Sequence, residues 1–562
     1  MNKIYGLLGA ALLVSTLSYG QDDKAKAPKD WHHLDKTASG YYGISLDKAY
    51  DFVKTKKIKS KQVVVAVIDS GIDTLHEDLK SVLWTNPKEI PFNGIDDDKN
   101  GYVDDVHGWN FIGGRDGKNV KEDSYEAARV YHRFKSKYDG KTINADELTP
   151  ADKAEYETWL KSKKKVMGDD GEKGVDVAVL QRFSSNLKKA DSTLRKALGK
   201  DIYTGNEVKA LVSDSADVKK AKNTILGIMG QNGGLDQTNK DFMEGLDAYV
   251  DGEIKKQDAK MNAPKPYRQE IVKDDETNIN DRFYGNNDIM ASTPFHGTHC
   301  SGIIAAARNN DKGVNGVASN VRIMTLRAVP DGDEHDKDIA NAIRYAVDNG
   351  AQIISMSFGK DFSPEKDWVD AAVQYAESKG VLLVHAAGND AKNVDTEDNF
   401  PNAVYKSNKK KASNWITVGA SGDPTNGGIT ASFSNYGKSE VDVFAPGVQI
   451  YSTIPGGDTY GNASGTSMAC PVVAGTAAFL LENYPTLSAR QLKMIIEKSA
   501  TAPDVDVNKP GTEDKVKLKD ISKTGGLLNA YEAIKLASTI KGERKLPKQT
   551  LPKPKLVKSV KG

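Results

Sequence analysis

Val63 to Asp69 reads VVVAVID, an apolar, β-branched run that closes on an acid and the turn SGID. A strand wetted on one face alternates polar with apolar residues. A run that does not alternate belongs in a sheet covered on both faces, the habit of parallel sheets. Similar runs recur at VRIMTLRAV (321–329), AQIISMSFG (351–359), GVLLVHAAGN (380–389) and WITVGAS (415–421). Helical spacing lies between several of them. Ile339, Ile343, Ala346 and Val347 share one face before Asn349-Gly350, and a second stretch opens at Ser363-Pro364, groups Trp368, Ala371, Ala372 and Tyr375, and closes at Gly380. Strand and helix alternate, which predicts an α/β fold with a mostly parallel sheet flanked by helices.

At 562 residues the chain exceeds the size at which one core keeps growing, so more than one folded unit is expected. Between Arg115 and Glu276 the β-branched runs stop and lysine-rich text takes over. TPADKAEYETWLKSKKK opens with the capping pair Thr149 and Asp152 around Pro150, and Val177, Leu180, Phe183, Leu187, Ala190, Leu194 and Leu198 keep a three-to-four spacing up to Gly199. The body, expected at 45–114 and 277–541, is thus interrupted by an inserted helical subdomain at 115–276. Late in the body, SARQLKMIIEKSA carries a capping box of Ser488 with Gln491 and an apolar face of Leu492, Ile495 and Ile496.

The first twenty residues place Lys3 before an apolar stretch from Ile4 to Leu17, then Ser18-Tyr19-Gly20 ahead of Gln21. That is the pattern of a secretory signal peptide at 1–20, followed by an N-terminal segment at 21–44. No other stretch is apolar enough to cross a membrane, so a secreted protein without a membrane span is expected. The tail at 542–562 mixes lysine with proline and has neither helical nor strand period, which predicts disorder. Lys plus Arg number 78 against 77 Asp plus Glu, a balance that gives nucleic acid no basic surface of overall charge to bind. With only two cysteines, Cys300 and Cys470, the chain is no disulfide scaffold; a packed thiol pair and a single bridge both fit.

In open α/β sheets, ligand chemistry gathers outside the carboxyl ends of the strands. Asp69 and Asn389 both fall there, although each also suits a plain turn. STPFHGTHCSGIIAA sets His296 and His299 at the start of a small-residue helix, as a metal pair, as backbone-satisfied rings or as a base. GNASGTSMACPVVAG sets Ser467 at the start of another, with Pro471 expected in its first turn, as a cap or as a nucleophile. Together the acid, imidazole and alcohol are the parts of acyl transfer, with Asn389 as a donor to the oxyanion.

VIDSGID with HEDL, HGTHCSGIIAA, SMSFG, AAGND and GTSMACPVVAG, in that order, resemble the subtilisin-like serine peptidases (subtilases) over roughly residues 45–112 and 280–540. The resemblance implies Asp69, His296 and Ser467 as a triad, with Asn389 and the Ser467 amide as the oxyanion donors. It also implies that Ser357-Phe358-Gly359 pair with an extended substrate and that Ala386-Ala387-Gly388 form the opposite wall of the primary pocket. His76 and His299 become structural. The implied activity is a secreted endopeptidase acting on proteins or peptides through an acyl-enzyme; an inactive binding protein on the same fold, or an esterase, are the rival readings. Phe358 and the small alanines hint at an apolar or aromatic preference. The chain departs from the family pattern in two ways. The short stretch before Asp69 is too small for a folded inhibitory prodomain, and Asp69 and His296 lie 227 positions apart.

NGIDDDKNGYVDDVHGWNF supplies Asp96, Asp98, Asn100 and Asp104, with Gly101 at the turn and the carbonyl of Tyr102 between. This is the D-x-D-x-N-G oxygen spacing of calcium loops, with His107 where an EF-hand has Glu and Asp105 available to complete the shell. An acidic hairpin turn is the alternative. Structural calcium is expected here, and the family resemblance adds a second cation position at Asp78 with Asn309 or Asn310.

Overall fold

The computed structural model describes residues 27–168, 176–230, 235, 238–291, 294–424 and 428–545. The expected signal peptide and all but the first residues of the basic tail lie outside these.

Seven parallel strands make one sheet: β1 (Val63–Asp69), β2 (Gly108–Asn110), β3 (Val321–Arg327), β4 (Ile353–Met356), β5 (Leu382–Ala386), β6 (Trp415–Ser421) and β7 (Val443–Pro446), in the order β2-β3-β1-β4-β5-β6-β7. The strand period of two then divides each run between two interiors. Val63, Val65 and Val67 face the helices Phe295–Ala305, Thr466–Asn483 and Ala489–Ser499, while Ala66 and Ile68 face Asp336–Asp348 and Lys366–Lys379. The result is an α/β sandwich of three layers, as the unbroken apolar runs require. After β1 the chain moves outward to the edge strand β2, returns to β3, then crosses β1 to β4, so a crevice opens at the carboxyl ends of β1 and β4.

Two local expectations shift. The helix expected from Ser363 begins at Lys366, because the Ser363 hydroxyl donates to Asp336 at 2.9 Å instead of capping. The helix of Ser467 begins at Thr466, which places Pro471 in its second turn. An antiparallel pair, β8 (Ile450–Ile454) and β9 (Thr459–Ala463), leads into that helix.

Between β2 and the helix Phe295–Ala305 the chain is helical over much of its length. Helices Glu126–Tyr138 and Pro150–Met167 form a hairpin whose Tyr131, Tyr138, Trp159 and Val166 share an apolar cluster with Phe362 of the body. Helices Val177–Leu198, Ala216–Met229 and Asn239–Met261 enclose a separate interior of Leu187, Leu194, Ile225, Met229 and Leu246. Thr149 caps the second hairpin helix and Gly199, left-handed, ends the first bundle helix. Buried ion pairs tie this region down. Lys360, one residue past Gly359, holds Glu126 at 2.8 Å and Asp336 at 2.9 Å, and Arg268 holds Asp274 at 2.8 Å. Among the described residues, no helix is long and apolar enough to cross a membrane.

Candidate active site

Asp69 ends β1 in the central crevice, 3 % exposed, its Oδ1 accepting from the Ser70 amide at 2.7 Å. His296 opens a helix that crosses this strand end closely. A Cβ on the following residue, Gly297, would stand 2.0 Å from the Gly71 carbonyl oxygen and 3.1 Å from Asp69 Cβ, so only glycine lets the helix so near. The imidazole Nδ1 then lies 2.8 and 3.0 Å from the two Asp69 oxygens. An ionised carboxylate only accepts, so Nδ1 carries the ring proton and Nε2 keeps a lone pair for a partner. Burial disfavours a charged ring, but the Asp69 carboxylate outweighs it and holds the His296 pKa well above its ordinary value.

Ser467 lies at the start of its own helix, where first-turn amides have no intrahelical acceptor. Its hydroxyl donates to the Ser357 carbonyl at 3.2 Å, and its carbonyl accepts from the Ser357 hydroxyl at 3.0 Å. Pro471 explains the freedom of that carbonyl, since proline has no N–H to bond the residue four before it. The Cys300 thiol also reaches the Ser467 carbonyl, at 3.4 Å, and stands 3.9 Å from His296 Nδ1. One thiol thus touches both helices. Asp69, His296 and Ser357 line a common cleft of about 660 Å³ with Phe295 and Pro330. The acid, ring and alcohol sit on one side of the molecule.

Asn389 follows β5, exposed. Its Oδ1 accepts from both the amide and the hydroxyl of Thr466, each at 2.9 Å, which turns the Nδ2 end away from Thr466. The same Thr466 hydroxyl accepts from the Gly388 amide at 3.1 Å, fastening the two loops together. Asn435 completes the frame: its Nδ2 donates to the Ala387 carbonyl at 2.8 Å and its amide to the Gly388 carbonyl at 2.8 Å. Gly359 is exposed between buried Phe358 and Lys360. Phe358 turns its ring into the core and its carbonyl accepts from His385 at 2.8 Å, so the rim of the crevice here is Gly359. Ala386 and Ala387 are both buried at the end of β5. Thr466, Asn435 and Asn399, which hold or approach this site, were not legible as such in the sequence, where isolated Asn and Thr read as turn and cap residues.

His299 donates to the Gly461 carbonyl at 3.1 Å if its Nε2 carries the proton, and His76 meets the Thr459 carbonyl at 2.9 Å; both are buried in the framework. Cys300 and Cys470 are free and buried. Burial raises both thiols above their ordinary pKa, Cys470 up to about 12.

The acidic loop divides. Asp96 and Asp98 bring carboxylate oxygens within 4.8 Å of one another and of Glu89, and both accept from the Asn100 amide. Glu89 is absent from the D-x-D-x-N-G spacing, yet its Oε2 is buried with no partner and burial raises its pKa. A buried carboxylate oxygen facing two further acids is what a hard cation would satisfy. Asp104 and Asp105 are occupied otherwise. Asp104 accepts from the Asn93 and Gly94 amides, and Asp105 takes Asn86, Asn100 and Tyr345, while the Tyr102 amide donates to Asn100 and leaves the expected carbonyl uncommitted by that bond. At the second cation position, both oxygens of Asp78 are already taken, by Asn310 at 2.6 Å and the Tyr460 hydroxyl at 2.9 Å.

Residues 60–520 match the Subtilase family. Thermitase of Thermoactinomyces vulgaris is 38 % identical over 253 residues, 45 % of this chain and 79 % of thermitase. A thermophilic serine proteinase of Bacillus sp. strain AK1 is 46 % identical over 33 % of this chain and 42 % of its own length. Subtilisin E of Bacillus subtilis is 40 % identical over 37 % of this chain and 50 % of its own. The match thus spans about half or less of two of these relatives and most of the third.

Proposed function

The chain belongs to the subtilase family, and from that premise we propose that it is a serine endopeptidase whose nucleophile is Ser467, whose base is His296 and whose orienting acid is Asp69. The observation that carries the proposal is the bond from His296 Nδ1 to buried Asp69, made across the crevice from a serine at a helix start. In the reaction, Ser467 Oγ leaves its ground-state bond to Ser357 and attacks the scissile carbonyl while His296 Nε2 takes its proton. The carbonyl oxygen gains the charge and is met by Asn389 Nδ2 and the Ser467 amide. His296, stabilised as imidazolium by Asp69, returns the proton to the leaving amine, and water repeats the cycle on the acyl-enzyme. The extended peptide lies along exposed Gly359, and its side chain before the scissile bond enters between Gly359 and the segment Ala386-Ala387-Gly388. The product acyl chain and amine both leave by the open cleft.

Calcium is proposed as a structural ion held by Glu89, Asp96 and Asp98; when bound it supplies positive charge to three acids that otherwise face one another. Export is proposed from the composition of residues 1–20.

The test is a fluorophosphonate probe with peptide and simple ester substrates. Wild type should label at Ser467 and cleave the peptide, and Ser467→Ala should do neither while keeping its circular dichroism. Folded wild type that never labels overturns the proposal in favour of an inactive binding fold. Labelling with ester turnover alone overturns it in favour of an esterase.

A further inference from the structure

The segments 357–360 and 331–334 approach one another beside the triad, and the cleft that holds His296 is lined by Ser357 from the first and Asp331 from the second. Along 357–360 the main-chain groups alternate in direction. The Phe358 carbonyl accepts from His385, and Lys360 pairs with Phe400, its amide donating at 2.9 Å and its carbonyl accepting at 2.8 Å, so these two face the body. Ser357 and Gly359 face the other way: the Ser357 carbonyl takes the Ser467 hydroxyl, and Gly359 is exposed. Past Gly359 this edge is covered. Lys360 is 4 % exposed, and its Nζ crosses to the second segment and donates to the Glu334 carbonyl at 2.8 Å, beside Glu126 of the inserted hairpin. Asp361 pairs with Lys165 of the hairpin at 2.6 Å. The second segment is held by the insertion as well. Arg129 of the hairpin donates to the carbonyls of Asp333 and Glu334, each at 3.1 Å, and to Glu126 at 2.6 Å.

We propose that the inserted hairpin is a stop at the far end of the substrate groove: Arg129, Glu126 and Lys360, joined at the Glu334 carbonyl, leave room for about three residues ahead of the scissile bond and turn the fourth out to solvent. The inference rests on the peptidase reading of the same site, in which those residues run along 357–359 away from the nucleophile. An antiparallel strand bonds its partner at every second residue. The residue before the scissile bond then pairs with Ser357 and the third one ahead of it with Gly359. A further pair would need Asp361, which the hairpin holds. The opposite segment offers no substitute, because the Asp333 and Glu334 carbonyls are already filled by Arg129 and Lys360. Removing one partner of a buried charge cluster strands the others, so the tie does not open for each passing substrate. Arg129 is a positioning residue, remote from the reacting atoms. The substrate class follows from the stop: short peptides, and flexible unfolded segments that can bend away at the fourth residue.

The experiment uses the full chain with N-acetylated peptides that carry two, three, four or five residues ahead of one fixed scissile bond. Rates are compared as kcat/KM per site labelled by fluorophosphonate, which removes any contribution from misfolded protein. In wild type the third residue should raise kcat/KM by about 10-fold, the effect of two main-chain bonds to Gly359. The fourth and fifth should add less than about 2-fold, because contacts that are not made contribute nothing to the transition state. Arg129→Gln withdraws the guanidinium from both carbonyls, and its ratio of five-residue to three-residue rates should exceed the wild-type ratio by about 5-fold or more. A wild type that gains about 10-fold from the fourth residue would overturn the proposal, and so would Arg129→Gln that labels fully and keeps the wild-type ratio. The wild-type series needs no variant, so it decides the matter even where the substitution prevents folding. If no protein labels and no peptide is cut, the peptidase reading itself fails, and that result is distinct from cleavage with the wrong dependence on length.

Discussion

Ser357 and Ser467 exchange hydrogen bonds, each hydroxyl donating to the other's main-chain carbonyl, at 3.0 Å from Ser357 and 3.2 Å from Ser467. The arrangement exists because Pro471 withholds the amide that would otherwise claim the Ser467 carbonyl. Ser357→Ala should leave that carbonyl to the weaker Cys300 thiol. We expect a loss of about 1–3 kcal/mol of stability, the cost of an under-satisfied buried polar group, read by denaturant unfolding. An unchanged midpoint would show that the serine bond contributes nothing.

The acid limb of the pH profile follows from His296. Below its pKa the ring is protonated at both nitrogens and cannot accept from Ser467. Asp69 raises that pKa against the effect of burial, so kcat/KM should rise with pH through a midpoint above the ordinary value of about 6.5. Asp69→Asn should move the midpoint down and lower kcat by about 10⁴-fold, because the amide also stabilises the wrong tautomer. A profile whose limb is the same in both proteins would detach Asp69 from the ring.

Asn389→Ala should lower kcat by about 10²–10³ with KM little changed, as expected for a donor used in the transition state. Thr466 acts through Asn389, since it holds Oδ1 by two bonds. Thr466→Val keeps the amide bond and loses the hydroxyl one, so its kcat should fall less than that of Asn389→Ala, and combining the two should cost no more than Asn389→Ala alone. Additive losses would place Thr466 in an unrelated role.

Calcium at a hundred times its dissociation constant should stabilise the protein by about 2.7 kcal/mol, visible as a higher melting temperature that a chelator removes. Glu89→Gln should abolish most of that shift, whereas Asp104→Asn should leave it, since Asp104 is spent on backbone amides. Burial raises the Glu89 pKa, and binding expels its proton, so the calcium shift should shrink as pH falls into the carboxyl range. Equal effects of the two substitutions would relocate the ion.

Both thiols should titrate in guanidinium without reductant, two per chain, and neither should react quickly in the native protein, where burial holds them protonated. No titratable thiol after denaturation would mean a bridge.

The sheet was legible where its strands are interior and buried on both faces: β1 and β3 to β6 correspond to the five apolar runs. The edge strands were not. Gly108–Asn110 contains no β-branched residue and Val443–Pro446 only one before it ends on proline, and each has a single strand as neighbour. Asp69, His296, Asn389 and Ser467 stand out in sequence because glycine and small residues crowd around them to permit close approach. Asn399, Asn435 and Thr466 do not, because their roles depend on which distant carbonyls or amides they meet. Glu89 is the sharpest case. Its distance from Asp96 fits no ligand spacing, and only the folded loop brings its oxygen beside Asp96 and Asp98, while the regular spacing points to Asp104, whose oxygens are committed elsewhere.

The bundle of Val177–Leu198, Ala216–Met229 and Asn239–Met261 keeps a dry interior of its own. Inheritance therefore acts on two accounts: a drift of volume around Leu194 or Ile225 is compensated within the bundle, and no methylene beneath Val65 or Ile68 needs to answer for it. What such a change passes on to the cleft travels instead through surface ties, such as Lys255 of the bundle on Asp331 of the cleft wall at 3.4 Å.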